Sequence, residues 1–182
     1  NKNTGRVIKA LIVVHAYGDI VDLLSIKKIT KKYFLEVVED GAGALGSFQN
    51  KKHIGIGNRM SILSFNGNKI ITTGMGGAIL FKYNNDYETI KHLISTARIS
   101  HNWKVEHDKV GYNFRMANIN AALGDSQLSR IKETLKHKRN LYLRYHNEFE
   151  NDDYCFLHEN KKSDKPNHWV TNVYLKNKYK TY

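Results

Sequence analysis

The first 40 residues alternate between strand-like and helix-like patterns, and this alternation restricts the fold more than any other feature of the chain. Apolar runs at residues 7–14 and 34–38 predict two short buried strands. Between them, apolar residues recur at helical spacing as far as Tyr33. A strand, a helix and a strand in this order require a crossover connection, so we expect the two strands to lie parallel in one sheet of an α/β fold.

The rest of the chain continues this mixture of strands and helices. Strands are predicted at residues 61–65, 78–83 and 168–175. Helices are predicted at residues 87–98, where Asn85 and Asp86 are expected to cap the first turn, and along residues 118–149, where one face is apolar. Residues 47–58 predict a loop or a small hairpin, and residues 99–109 predict a long surface loop.

One lysine, Lys69, stands between a predicted strand and a glycine-rich turn. The strand at residues 61–65 and Gly67 precede it, and three glycines follow between residues 74 and 77. Ligands bind at the carboxyl ends of strands in open α/β sheets. A lysine with a lowered pKa can attack a carbonyl group there, as in pyridoxal phosphate enzymes. The alternative is an ordinary solvated loop lysine, and this run by itself only weakly favours the cofactor.

A carboxylate, Asp40, follows the strand at residues 34–38 and precedes a turn of small residues. In a pyridoxal phosphate site, an acid in this position pairs with the pyridinium nitrogen and keeps the ring a good electron sink. The alternative is an aspartate that caps the next turn, which is the commoner use of this residue. The glycines at positions 41, 43 and 46 match neither the GxGxxG fingerprint nor the GxxxxGK[ST] phosphate loop.

Three blocks occur in a specific order: Asp40 with its small-residue turn, SFNGNKIITTG at residues 64–74, and GYNFRMANINAALG at residues 111–124. In this order and spacing they resemble the DegT/StrS family of pyridoxal phosphate-dependent nucleotide-sugar aminotransferases. The last two blocks are similar to the branch that aminates UDP-linked 4-keto-6-deoxy sugars for legionaminic-type glycans. The resemblance implies part of a fold type I (aspartate aminotransferase-like) large domain, three-layered with a mixed, mostly parallel sheet, and the start of a small C-terminal α+β domain.

The resemblance also gives five residues a role. It makes Lys69 the Schiff-base lysine and Asp40 the partner of the pyridinium nitrogen. Ser64 matches a hydroxyl that binds the cofactor phosphate, and Asn113 matches an asparagine that reaches the phosphate of the neighbouring subunit's cofactor. Arg115 is expected to meet the nucleotide phosphates of the substrate. Relatives that dehydrate their substrate carry histidine in place of the lysine, so Lys69 favours transamination.

Two positions depart from the family's pattern. Gly43 stands where the family usually has Gln or His near the phenolic oxygen of the cofactor, and Gly41 replaces a customary alanine. We count Gly43 among the cofactor-binding positions, where another residue or a water molecule would supply the missing polar group.

The chain has 182 residues, and full members of the family are much longer, so the resemblance implies a fragment. Residues 1–124 would form part of the pyridoxal phosphate-binding large domain, residues 125–150 a connecting helix, and residues 151–182 the start of the small domain. The full protein is expected to be a cytoplasmic homodimer that transfers an amino group from glutamate to the C4 keto group of a UDP-linked deoxy sugar in bacterial surface-glycan biosynthesis. A truncated, non-catalytic relative is the alternative.

The net charge of +12 would favour contact with phosphates or with nucleic acid. The basic residues are spread over predicted helices, without a zinc finger, an RNP signature or a helix-turn-helix, so a nucleic-acid-binding module is the weaker alternative. A single cysteine, Cys155, excludes an internal disulfide, and no Cys/His spacing indicates zinc. The longest apolar run, residues 10–14, is far too short to span a bilayer, so no membrane partner is expected.

Overall fold

The computed structural model describes residues 3–159 and 164–176 of the chain. The strands are β1 (Ala10–Val14), β2 (Glu36–Asp40), β3 (Phe48–Gln49), β4 (Lys52–His53), β5 (Met60–Ser64), β6 (Gly77–Phe81), β7 (Arg98–Ile99), β8 (Glu106–His107), β9 (Cys155–Leu157), β10 (Asp164–Lys165) and β11 (Val173–Leu175). The α-helices are α1 (Leu23–Tyr33), α2 (Asn84–Ile94), α3 (Asn118–Ser129) and α4 (Ile131–Phe149).

The central sheet has four strands in the order β1-β2-β5-β6. Strands β1, β2 and β5 are parallel, and β6 runs antiparallel to β5. Helix α1 connects β1 to β2, so the crossover predicted from the first 40 residues is present and gives the expected parallel pair. The carboxyl ends of the three parallel strands, at Val14, Asp40 and Ser64, therefore lie at one edge of the sheet.

The two faces of this sheet have different environments. Val37 and Leu63 are buried on one face, whereas Ile12 on the other face is 66% exposed. Because side chains alternate along a strand, Glu39 points to the same face as Val37, and Asp40 points to the open face. The consecutive carboxylates at the end of β2 therefore lie in different environments, Glu39 on the buried face and Asp40 on the open face.

The end of α1 corrects one prediction. The apolar run at residues 34–38 predicts a strand from its first residue, but Phe34 instead caps α1 with a left-handed φ of 53° and is 92% exposed. Strand β2 begins at Glu36. At the other end of α1, the Asp22 carboxylate accepts a hydrogen bond from the Ser25 N–H at 3.1 Å, an ordinary N-terminal cap.

Three further predictions are corrected beyond the sheet. Helix α2 begins before Asn85 and Asp86, and its first turn has no side-chain cap; the Asp86 carboxylate instead accepts hydrogen bonds of 2.9 and 2.8 Å from Arg59. The loop predicted at residues 99–109 contains the β7–β8 hairpin. The long helical stretch is divided into α3 and α4 at Arg130.

The strands after α4 belong to two small sheets separate from the central one. Strands β9 and β11 form an antiparallel pair, and β10 pairs with β3. Strands β3 and β4 form a small hairpin, one of the two structures predicted for residues 47–58. The strand predicted at residues 168–175 is limited to β11. Just before it, Asn167 and Trp169 contact the turn that follows β2. The C-terminal segment therefore reaches the carboxyl edge of the sheet.

Candidate active site

Lys69 lies on the connection from β5 to β6, at the carboxyl edge of the sheet. Its N–H donates to the Asn66 carbonyl at 3.0 Å, which closes a tight turn before the lysine. Ile70 and Ile71, directly after the lysine, are buried and anchor the connection in the core. The sequence therefore holds the lysine backbone between a turn and two apolar anchors.

The Lys69 side chain is half-buried against an aromatic ring. Its Nζ lies 3.6 Å from the centroid of the Trp169 ring, a cation–π distance. Burial lowers the pKa of Lys69, and the charge of Asp40 acts in the opposite direction. Asp40 ends β2, the strand beside β5, and its carboxylate lies close enough to Lys69 to act on the amine electrostatically. A lowered pKa increases the fraction of neutral amine, which is the form that attacks a carbonyl group.

Only one oxygen of the Asp40 carboxylate binds the turn that follows β2. Its Oδ1 accepts a hydrogen bond from the Ala42 N–H at 3.0 Å, so the turn-capping alternative describes this oxygen correctly. Within the described residues, Oδ2 has no hydrogen-bond partner. One carboxylate oxygen is therefore available to a ligand while the other fixes the side chain.

Two glycines after Asp40 allow neighbouring groups to approach closely. A Cβ on Gly41 would lie 2.9 Å from Ile54 Cδ1 and 3.1 Å from the Ile62 carbonyl oxygen. A Cβ on Gly43 would lie 2.7 Å from Trp169 Cε3. The space beside Gly43 is thus occupied by the indole ring, a contact that nothing in the sequence pattern indicated.

A buried network that the sequence did not predict supports the end of β2. His15 Nδ1 accepts from the Val21 N–H at 3.4 Å, which places the proton on Nε2, and Nε2 donates to Glu39 at 2.9 Å. The Glu39 carboxylate also accepts from the Gly55 N–H at 2.8 Å and from the Asn58 side chain. Burial alone would raise the pKa of Glu39, but these hydrogen bonds outweigh it and lower the pKa. The sequence signal for this network was the position of Glu39, two residues after Val37 and therefore on the same inward face of the strand.

A second unpredicted group, Asn167, ties the C-terminal segment to the turn after Asp40. Its buried side-chain amide donates to the Gly43 carbonyl at 2.8 Å and to the Leu45 carbonyl at 2.9 Å. Its Oδ1 accepts from the Trp169 N–H at 2.9 Å. Asn167 therefore fixes the backbone position of Trp169.

The structure does not bring all predicted site residues together. Ser64 ends β5, and its Oγ accepts only a long bond of 3.4 Å from the Asn66 N–H. Asn113 and Arg115 are exposed and line a separate cavity of about 480 Å³, together with Arg98 and other polar residues of the β7–β8 region. Asp40 and Lys69 thus form one group, and Asn113 and Arg115 form another.

A mostly parallel sheet ends in the antiparallel strand β6, Lys69 lies on the connection from β5 to β6, and Asp40 ends β2, the strand beside β5. This is the arrangement of a fold type I aminotransferase large domain. The chain matches the DegT/DnrJ/EryC1/StrS aminotransferase family over residues 1–181 and belongs to this family.

Individual relatives agree with this assignment. The GDP-perosamine synthase of Vibrio cholerae is 32% identical over 100% of this chain and 48% of its own length. The UDP-4-amino-4,6-dideoxy-N-acetyl-beta-L-altrosamine transaminase of Campylobacter jejuni is 32% identical over 81% of this chain and 39% of its own length. Helicobacter pylori PseC, an aminotransferase involved in the biosynthesis of pseudoaminic acid, has a TM-score of 0.89 at 28% identity, over 94% of this chain and 46% of PseC. The chain spans less than half the length of these relatives.

The predicted family and fold are therefore confirmed. Pyridoxal phosphate is confirmed as the cofactor of the family, and a solved structure of the same fold is in the pyridoxal phosphate form. The individual roles of the site residues stay predictions. Within residues 3–159 and 164–176, no three His, Cys, Asp or Glu side chains are grouped as metal ligands, and no helix has the length and apolarity to cross a membrane.

Proposed function

We propose that the full-length protein is a pyridoxal phosphate-dependent nucleotide-sugar aminotransferase in which Lys69 is the reactive amine. The observation that carries this proposal is the group formed by Lys69 and Asp40 at the carboxyl edge of the sheet. Burial lowers the pKa of the Lys69 amine, and the Asp40 carboxylate beside it keeps one oxygen available. An amine and an acid are the two groups that the aldehyde and the ring nitrogen of the cofactor require, so the residues present fit it.

When bound, pyridoxal phosphate supplies an aldehyde and an electron-withdrawing ring. Asp40 would hold the proton of the ring nitrogen through Oδ2. Lys69 Nζ would take a proton from the α carbon of the amino donor and return a proton to the sugar carbon in the second half of the transfer. The Ser64 hydroxyl would donate to the cofactor phosphate, because its proton has no acceptor among the described residues. Gly43 would line the site through its backbone.

The proposed substrate is a 4-keto-6-deoxy sugar linked to UDP, with glutamate as the amino donor, in bacterial surface-glycan biosynthesis. The relatives support a nucleotide sugar, since one is named for a UDP-linked and one for a GDP-linked amino sugar. Arg115 would contact the nucleotide phosphates. Parallel assays with the UDP-linked and the GDP-linked keto sugar test this choice, and turnover of the GDP-linked sugar alone would contradict it.

We also propose that the full protein is a cytoplasmic homodimer in which Asn113 reaches the cofactor phosphate of the neighbouring subunit. The exposure of Asn113, and its place in a cavity apart from Lys69, support this division. Residues 1–124 would belong to the large domain, residues 125–150 to the connection, and residues 151–182 to the small domain.

Borohydride reduction tests the assignment of Lys69. The cofactor-loaded, full-length protein is reduced and digested, and mass spectrometry locates the pyridoxyl group, which we expect on Lys69. Lys69→Ala should lose the visible absorbance of the bound cofactor, and its transfer rate should fall by a factor of about 10⁴. Lys27→Ala, an exposed lysine of α1, serves as the matched control and should retain both. A pyridoxyl group on another lysine would contradict the proposal.

A non-catalytic relative remains the second candidate, because Gly43 lacks a polar side chain and Trp169 covers the amine. A folded protein, as judged by circular dichroism, that gives no visible absorbance on titration with pyridoxal phosphate would favour this candidate.

A further inference from the structure

Trp169 contacts both Lys69 and Gly43. Its ring centroid lies 3.6 Å from Lys69 Nζ. Its six-membered ring lies so close to Gly43 that a Cβ there would be 2.7 Å from Cε3 and 2.8 Å from Cζ3. Carbon atoms in a packed interior do not lie this close together, so either the indole or the backbone would have to move to admit a Cβ at position 43. The indole therefore fills the volume that any side chain at position 43 would need.

The indole is held in this place from several directions. Its Nε1–H donates to the Asn68 carbonyl at 2.6 Å, directly before Lys69. The backbone N–H of Trp169 donates to Asn167 Oδ1 at 2.9 Å, and its carbonyl accepts from Lys138 Nζ at 3.2 Å. Rotating the ring away from Gly43 would break its hydrogen bond to Asn68, and the two backbone bonds oppose a shift of the whole residue, so the ring cannot move at low cost.

Position 43 is also confined by a second group, the backbone of Gly18. The same Cβ would lie 3.3 Å from the Gly18 backbone nitrogen. Gly18 is in turn pressed against the buried Asn167, since a Cβ on Gly18 would be 2.0 Å from Asn167 Oδ1. A side chain at position 43 would meet the indole and the Gly18 backbone, and the indole contact is the closer of the two, which makes Gly43 and Trp169 a matched pair.

We propose that Trp169, with Gly43 as its size-matched partner, is a specificity-determining residue that walls the Lys69 amine and limits which carbonyl compounds reach Nζ. The inference rests on the proposed function only in taking Lys69 as the reactive amine. A flat ring over one side of Nζ leaves the remaining sides open to a slim or planar aldehyde, while a branched aldehyde collides with the indole. Trp169 is thus a wall of the site and takes no proton.

The first experiment measures selectivity at Lys69 in the 182-residue chain. The protein is incubated separately with propanal and with 2,2-dimethylpropanal, and cyanoborohydride reduces the imine that each aldehyde forms with a lysine amine on loss of water. Peptide mass spectrometry gives the two labelling rates at Lys69. The ratio of the two rates does not depend on the pKa of the amine, because both aldehydes need the same neutral form. We expect Trp169→Ala to raise the relative rate of the branched aldehyde by roughly tenfold, the effect of removing a steric barrier of about 1.4 kcal/mol. The ratio at exposed Lys27 should stay constant.

The second experiment tests the pairing itself. All variants carry Trp103→Phe, because Trp103 is 91% exposed and Trp169 then remains the single tryptophan. Gly43→Gln should lower Tm and shift the Trp169 emission to longer wavelength as the indole is displaced into water. The double variant Gly43→Gln/Trp169→Ala should recover most of the lost Tm, and it should fold even where Gly43→Gln alone does not.

Two results would overturn the proposal. One is an unchanged aldehyde ratio at Lys69 after Trp169→Ala. The other is a Gly43→Gln variant with the parent's Tm and emission. Neither readout uses pyridoxal phosphate, so a failure of the proposed function, seen as cofactor trapped on another lysine, is distinguished from a failure of the Trp169 wall.

Discussion

The carboxyl edge of the central sheet and the segment at residues 111–116 carry the two groups of predicted site residues, and the chain builds them differently. At the edge, Lys69 is half-buried, and the end of β2 is held by buried side chains such as Glu39. On the segment, the side chains of Asn113 and Arg115 are exposed, and only the backbone is fixed. A Cβ on Gly111 would lie 2.3 Å from the Thr96 carbonyl carbon, which shows how closely that backbone packs.

The two regions therefore differ in how far contacts within this chain fix their side chains. At the edge, contacts within the chain already determine the direction and the electrostatics of the side chains. On the segment, a closely packed backbone presents polar side chains outward, and within the described residues the side chains of Asn113 and Arg115 make no hydrogen bond. The buried residues that support the edge, such as Glu39, should therefore respond to substitution mainly through stability, and the exposed residues of the segment mainly through binding.

Replacing Glu39 with alanine should give the largest effect on stability. The buried donors of His15 and Gly55 and the half-buried side chain of Asn58 would lose their acceptor. A buried donor left without an acceptor costs about 1–3 kcal/mol, so the free energy of unfolding should fall by about 2–6 kcal/mol for His15 and Gly55 together, which urea unfolding can measure. Glu36→Ala is the matched control on the same strand, where the exposed pair with Arg59 at 3.7 Å should contribute less than about 1 kcal/mol. Equal losses would show that Glu39 does not hold the edge.

The sequence predicted the edge well because local patterns determine it. Apolar runs and helical spacing gave the parallel pair β1 and β2, and the carboxyl ends of parallel strands meet at one edge. This geometry alone brings Asp40 near Lys69, although the two residues come from different strands. The resemblance added the chemistry to positions that the pattern had already placed.

The remaining contacts depend on residues far apart in the chain and carry no periodic signal. Asn167 and Trp169 lie in a segment without regular structure, so no pattern could place them against Gly43. The pattern did not identify Glu39 as buried because acidic residues are rarely buried, and its partner His15 is supplied by another strand end. A polar residue that follows the inward register of a strand is the one signal that would have identified it.

A smaller effect on the edge should appear as a dependence of stability on pH. His168 stacks on Tyr142 with ring centroids 4.1 Å apart, and burial, aided by the charge of Arg139, lowers the pKa of His168 to about 4 from 6.5. Between these two values the unfolded chain binds a proton and the folded chain does not. Stability from this group is therefore complete above pH 6.5 and is lost as the pH falls toward 4.

His168→Asn removes the titrating ring and keeps a residue that tolerates the left-handed φ of 52° at this position. Urea unfolding at a series of pH values should show a shallower loss of stability below pH 6.5 in the variant than in the parent. The loss from Glu39, whose lowered pKa delays it until the pH falls below 4.5, should remain in both proteins. Parallel curves for parent and variant throughout this range would contradict the assignment to His168.

Asn113→Ala should have the smallest effect on stability, within about 0.5 kcal/mol, because the side chain is exposed and makes no hydrogen bond in the described part of the chain. In the full-length protein the same change should weaken binding of pyridoxal phosphate about tenfold or more, since a hydrogen bond to a charged phosphate contributes about 1.5–3 kcal/mol. Equilibrium dialysis of the cofactor measures this, with exposed Asn140→Ala on α4 as control. Mixed dimers of Asn113→Ala and Lys69→Ala subunits sharpen the test: if Asn113 serves the neighbouring subunit, both changes fall on the same site, and the other site binds cofactor with normal affinity. Weak binding at the intact Lys69 site would place Asn113 in its own subunit's pocket and remove the division between the two regions.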